Sequence, residues 1–101
     1  IVPLLPGVPW DFAYQSASSA PLKWLGPDVD TKLEALRPSG ARKVMAAPVS
    51  FVSEHAEVLY DLDHLHRRRA EHLGMVLTRC PSLNDHPRLI QALAETVREA
   101  L

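Results

Sequence analysis

Cysteine is almost missing from this chain: Cys80 is the only one in 101 residues. A single thiol forms no internal disulfide and supplies no cysteine pair for a structural metal, so a reducing, cytoplasmic setting is expected. Long apolar runs are missing as well. A membrane-spanning helix needs about 20 apolar residues in a row, whereas the best candidate here, Val-Met-Ala-Ala-Pro-Val, is interrupted by Pro48. No transmembrane segment is expected. Neither sign of charge dominates, because 11 Lys and Arg face 12 Asp and Glu for a formal charge of −1. That balance removes any general attraction to nucleic acid or anionic lipid, and nucleic acid is set aside as a partner. The opening residues, Ile-Val-Pro-Leu-Leu-Pro-Gly-Val-Pro-Trp, lack both an initiator Met and the basic segment of a signal peptide. A fragment of something longer is the expectation.

What is present suits one small folded domain, since 47% of the residues are apolar. Pro3, Pro6 and Pro9 each remove a backbone donor, so residues 1–13 read as a proline-rich lead-in. Asp-Phe-Ala-Tyr-Gln-Ser (11–16) has the aromatic character of a short strand, and residues 16–27 read as a loop carrying Trp24. Asp28 or Asp30 can cap a short helix containing Leu33 and Leu36, ended by Pro38 and Gly40. Residues 42–51, Arg-Lys-Val-Met-Ala-Ala-Pro-Val-Ser-Phe, form a run of strand length with the pattern of a parallel strand buried on both faces. A helix follows from Ser53 as N-cap to about His72, with Gly74 as its stop. Met-Val-Leu-Thr-Arg-Cys (75–80) reads as a second buried strand, with Cys80 a small residue at its end. His86 starts a final amphipathic helix with Leu89, Leu93, Val97 and Leu101 spaced by four. Strand and helix alternate throughout, which predicts an α/β domain with a Rossmann-like parallel sheet flanked by helices.

The long helix carries the chemistry. Between residues 50 and 69, Ser-Phe-Val-Ser-Glu-His-Ala-Glu-Val-Leu-Tyr-Asp-Leu-Asp-His-Leu-His-Arg-Arg-Arg holds four carboxylates and three histidines. On a regular helix Glu54, Glu57, Asp61 and His64 share a face, while Leu59, Leu62 and Leu73 point to the sheet. Carboxylate and imidazole together suit iron(II), manganese or zinc, but the spacing is no specific metal signature. A solvated acidic face is the plainer alternative. His55 and Glu57, two residues apart, serve one site only if the helix starts irregularly or contains a π-type distortion. The Arg67–Arg69 run wraps around a helix and reads as a solvated helix end rather than a phosphate site.

Three segments, Tyr-Gln-Ser-Ala-Ser-Ser-Ala-Pro-Leu-Lys-Trp-Leu-Gly-Pro-Asp-Val-Asp (14–30), Pro-Val-Ser-Phe-Val-Ser-Glu-His-Ala-Glu-Val-Leu-Tyr-Asp-Leu-Asp (48–63) and Ser-Leu-Asn-Asp-His-Pro (82–87), resemble in order and spacing the C-terminal part of ferrochelatases. The resemblance implies insertion of ferrous iron into a porphyrin, coproporphyrin III or protoporphyrin IX, in haem biosynthesis. It also implies a two-lobed chelatase fold in which residues 14–101 supply the C-terminal lobe. By the same resemblance Glu57 and His55 are the catalytic residues, Glu57, Asp61 and His64 handle metal and protons, and Trp24 and Tyr14 line the porphyrin pocket. Ferrous iron would be a substrate, with no tightly bound cofactor. Some relatives hold an iron–sulfur cluster through several cysteines, which Cys80 alone cannot do.

The sequence departs from the family's pattern at named positions. The histidine facing the glutamate across the porphyrin belongs to the other lobe, so the N-terminal lobe of the same enzyme is an expected partner. Leu65 stands where a further acid is frequent, and Ala17 where many relatives carry a basic residue. A lobe cut from its partner leaves an uncovered apolar interface, from which a homodimer is expected. The alternative reading is a non-catalytic α/β module that binds tetrapyrrole or metal between Trp24 and the acidic helix.

Overall fold

The computed structural model describes residues 5–16 and 23–101. Pro3, Ala17 and much of the expected loop before Trp24 lie outside them. The Asp28 carboxylate accepts the Thr31 N–H at 2.7 Å, which satisfies a donor that the first helical turn leaves free. Helix α1 then runs Val29–Leu36, and the same bond holds the Asp28 carboxyl below its ordinary value. At the far end the Ser39 hydroxyl donates to the Leu36 carbonyl at 2.6 Å. Gly40, at φ 86°, turns the chain toward the sheet in a conformation that a side chain would strain.

Strands β1 (Lys43–Ala46) and β2 (Val76–Arg79) pair in parallel, with Lys43 opposite Val76 and Ala46 opposite Arg79. Parallel neighbours require a crossover, and one nearly continuous helical rod provides it. The rod comprises α2 (Ala56–Tyr60), a π-helical stretch (Asp61–His66) and α3 (Arg67–His72). Gly74, at φ 73°, releases the chain into β2. Helix α4 (Pro87–Ala100) closes the order, capped by His86, whose Nδ1 accepts the Arg88 N–H at 3.2 Å.

The core lies on one face of this sheet. Leu33, Ala70, Met75 and Leu77 form a buried cluster, with Val29, Ala41, Val44, Ala46 and Leu73 packed against it. Val58 and Leu62 are buried along the rod. The expectation that β1 is buried on both faces fails: Lys43 and Met45 alternate outward, and Met45 is 70% exposed. Helices cover only the side facing Val44 and Ala46. Residues 11–16 form no strand either, because among the described residues a lone parallel bridge from Tyr14 to Asp28 is all the pairing they make. Helix α4 buries none of its residues, and Ile90, Leu93 and Val97 face outward. No helix of the described residues is long and apolar enough to cross a membrane.

This distribution predicts where truncation will hurt. Leu77→Ala, in the buried cluster, should lower stability by about 2–4 kcal/mol. Leu93→Ala, on the exposed face of α4, should change it by less than about 0.5 kcal/mol. Urea unfolding of both variants measures the contrast, and equal losses would show that α4 is packed.

Candidate active site

Ligands in open parallel sheets gather beyond the carboxyl ends of the strands, and the acidic residues assemble there. The loops after β1 and β2 are stitched together by one residue. Asn84 donates its N–H to the Val52 carbonyl at 2.8 Å, and its Oδ1 accepts the Glu54 N–H at 2.9 Å. Its φ of 50° lies in the left-handed region, which Asn tolerates better than most residues. With that loop fixed, His55 rather than Ser53 becomes the N-cap of α2, although its side chain makes no capping bond. The ring instead packs edge-on against Phe51, 4.3 Å between centroids, and its buried Nε2 has no hydrogen-bond partner among the described residues. Glu57 then occupies the first turn of α2, exposed to solvent.

The π stretch sets the phase of everything beyond. Val58 and Ala70 are twelve residues apart, which at roughly 100° per residue would place them about 120° from each other on a regular helix. The extra residue in a π-type turn removes roughly 100° of that drift. Val58, Leu62 and Ala70 therefore all stay on the buried side. Upstream of the bulge the buried stripe is shifted by one position, so Val58 occupies the place expected of Leu59, which is 36% exposed. Leu62 and Leu73 do turn inward, as expected.

Asp61 opens the π stretch, four residues beyond Glu57 and half-buried. The Ser16 hydroxyl donates to its Oδ2, and Gln15 Nε2 donates to the same Ser16 oxygen at 3.2 Å. Ser16 itself sits at φ 63°. Two residues earlier, the Tyr14 N–H donates to the Pro27 carbonyl at 2.9 Å, which joins this segment to Trp24-Leu25-Gly26-Pro27. The Gln-Ser segment is thus bonded to Asp61, the Tyr14 backbone to Pro27 of Trp-Leu-Gly-Pro, and Asn84 of Ser-Leu-Asn to Val52 and Glu54 just before His55, although these residues are distant in sequence. Trp24 is 49% exposed and Tyr14 packs edge-on against Phe12 at 5.0 Å.

The remaining acids are neutralised. Glu54 lies outside the helix, contrary to the shared face expected of it, and its Oε1 accepts Arg79 Nη1 at 3.0 Å. Asp63 receives Arg79 Nε and Nη2 at 3.1 Å each, and this bonding holds its carboxyl below the ordinary value. His66 Nδ1 lies 2.7 Å from Asp30 Oδ1 of α1, and Arg69 pairs with Glu34 of the same helix. Two of the arginines in the basic run therefore hold neighbours, because Arg67 also reaches Asp63 at 3.5 Å. Glu57, Asp61 and His64 remain from the acidic row, with His64 exposed and 6.0 Å from the Tyr60 ring. Among the described residues no three His, Cys, Asp or Glu converge as a metal-holding group.

Sequence reading missed Arg79, Asn84 and Ser16 as members of the site. Arg79 had a signal: Met75, Leu77 and Arg79 alternate onto one strand face, and an arginine in that register calls for carboxylate partners.

The sequence matches the model of the Ferrochelatase family over residues 3–101. A ferrochelatase of Deinococcus radiodurans is 42% identical over 88 residues, covering 87% of this chain and 28% of the relative. One of Sulfurihydrogenibium sp. is 45% identical over 93 residues, or 91% of this chain and 28% of the relative. A coproporphyrin III ferrochelatase of Streptomyces coelicolor is 42% identical over 92 residues, covering 90% and 24%. The chain spans about a quarter of the length of the curated relatives it matches.

The Asp63 pairing makes stability depend on acid. Its folded carboxyl titrates below the ordinary value of 3.8, so its contribution is complete above that value and is lost as pH falls through the lower, folded one. The stability gap between the parent chain and Asp63→Asn should stay constant from about pH 7 to 5 and narrow below about pH 4. Urea midpoints across this range measure it, and a gap that widens in acid would contradict the assignment.

Proposed function

The chain belongs to the ferrochelatase family, and on that premise we propose that it supplies the C-terminal half of a site that inserts ferrous iron into a porphyrin. Iron enters the macrocycle only as two pyrrole N–H protons leave, so a base must stand over the ring. Glu57 is that base, and one observation carries the reading. It is the carboxylate in the first turn of a helix starting at the carboxyl end of a parallel strand, and Arg79 does not neutralise it. His55 beside it assists. Asp61 and His64, further along the rod, hand protons or iron onward. Trp24 and Tyr14 flank the macrocycle with their rings, which the hydrogen bond between their two segments supports.

The opposite face of the porphyrin belongs to an N-terminal lobe, which contributes the histidine that this chain lacks. The outward face of the sheet and the apolar side of α4 offer surface for that lobe, or in its absence for a second copy. Binding energy on the periphery of the macrocycle supports its distortion, which exposes the nitrogen lone pairs. Ferrous iron is substrate, no resident cofactor takes part, and the setting is cytoplasmic. Relatives carry both ferrochelatase and coproporphyrin III ferrochelatase names, so coproporphyrin III and protoporphyrin IX are the two substrates to compare.

Residues 14–101 grafted in place of the matching segment of the Deinococcus radiodurans enzyme should insert zinc, an oxygen-tolerant stand-in for iron, into one of these porphyrins. Glu57→Gln in the graft should slow insertion by about a hundredfold or more. Emission of the metalloporphyrin follows the reaction, and an unchanged rate in Glu57→Gln, or a folded graft without insertion, would overturn the proposal.

A further inference from the structure

We infer that Arg79 is a positioning residue for the proposed insertion, a single guanidinium that clamps both ends of the acid-bearing segment and fixes where Glu57 and Asp61 stand. The inference rests on the reading of Glu57 as base. Arg79 ends β2 in the inward register, with its side chain only 12% exposed. Its Nη1 reaches Glu54, three residues before Glu57, and also the Cys80 carbonyl at 3.3 Å. Its Nε and Nη2 grip the Asp63 carboxylate, two residues past Asp61. The planar fork suits that two-point grip on a carboxylate. One side chain thus ties the loop before the helix to the π stretch within it.

Apolar packing alone leaves this task undone. Val58 and Leu62 are buried along the rod, but apolar contacts are non-directional and tolerate rotation about the helix axis. The rod begins at α2, whose N-cap makes no side-chain bond. A first turn without a side-chain cap frays more readily unless it is anchored upstream. Arg79 supplies that anchor at Glu54, and Asn84 reinforces it through the Glu54 N–H. By engaging Glu54 and Asp63 the guanidinium also withdraws two carboxylates from the row, leaving Glu57 and Asp61 to meet an incoming cation. Carboxylate placement matters because a displacement of about 1 Å can cost a hundredfold in rate.

Two readouts test the clamp separately from the function. In this chain, amide hydrogen exchange at residues 56–60 should accelerate about tenfold or more in Arg79→Ala and by less in Glu54→Gln, with β2 protection retained. In the active graft, Arg79→Ala should lower kcat by about ten- to a hundredfold per porphyrin-binding site, while porphyrin KM stays within about twofold. Arg79→Lys should recover only part of the rate, and Glu54→Gln added to Arg79→Ala should cost nothing more, because the partner is already lost. Glu54→Gln alone gives the same direction should Arg79→Ala fail to fold. Unchanged exchange would overturn the clamp whatever the activity. An unchanged kcat per site in both variants, or a fall only in the number of binding sites, would reduce Arg79 to a fold-stabilising role. A parent graft without insertion would instead refute the proposed function.

Discussion

Helical phase is the constraint on which the rest of this structure depends. A rod that crosses a parallel pair must bury one side over its whole length and also present carboxylates where the strands end. A regular helix cannot keep Val58 and Ala70 on the same side. The π stretch at Asp61–His66 corrects the drift by one residue and does so where Asp61, Asp63, His64 and His66 are concentrated. Buried upstream and downstream stripes then align, while Glu57 and Asp61 stay at the sheet's carboxyl end. Such underwound turns recur at functional sites. Here the local cost of the distortion accompanies a gain in packing along the rod.

Charge pairing follows from this phase. Of the carboxylates before and within the rod, Glu54 and Asp63 are held by Arg79, and His66 reaches across to Asp30 of α1. Among the described residues Asp61 is bonded by the neutral Ser16 hydroxyl, and Glu57 faces solvent. A count of acids therefore overstates what is free: Glu54 and Asp63 hold the fold, and Glu57 and Asp61, which lie between them, are not engaged by Arg79.

Much of the architecture was legible in the pattern of residues. The cap at Asp28, one of two candidates, the stop at Gly74 and the start at His86 follow from local chemistry that needs no distant partner. The failures have distant causes. Glu54 was read onto the helix because nothing local shows that Asn84, thirty positions away, holds its N–H in a loop. Leu59 was read as inward because the size of the phase correction depends on packing against β2. Residues 11–16 have the composition of a strand, but among the described residues only Tyr14 of that segment forms a bridge. The site residues were named by resemblance, whereas Arg79 and Ser16 emerged only when the chain was folded.

Outward-facing Met45, Val76, Leu93 and Val97 leave apolar surface on the side of the sheet away from the core and along α4. An isolated two-stranded sheet is a weak element, so this surface suits burial against further structure. The proposed porphyrin contact involves Trp24 and the acid row. The most direct measurement is a coproporphyrin III titration of the Trp10→Phe chain, in which Trp24 is the sole tryptophan, followed by fluorescence alongside circular dichroism. The account predicts saturable, stoichiometric quenching that persists in Glu57→Gln, since that residue acts on protons rather than on the ring's affinity. Unquenched Trp24 emission in a chain with an intact helical signal would contradict it.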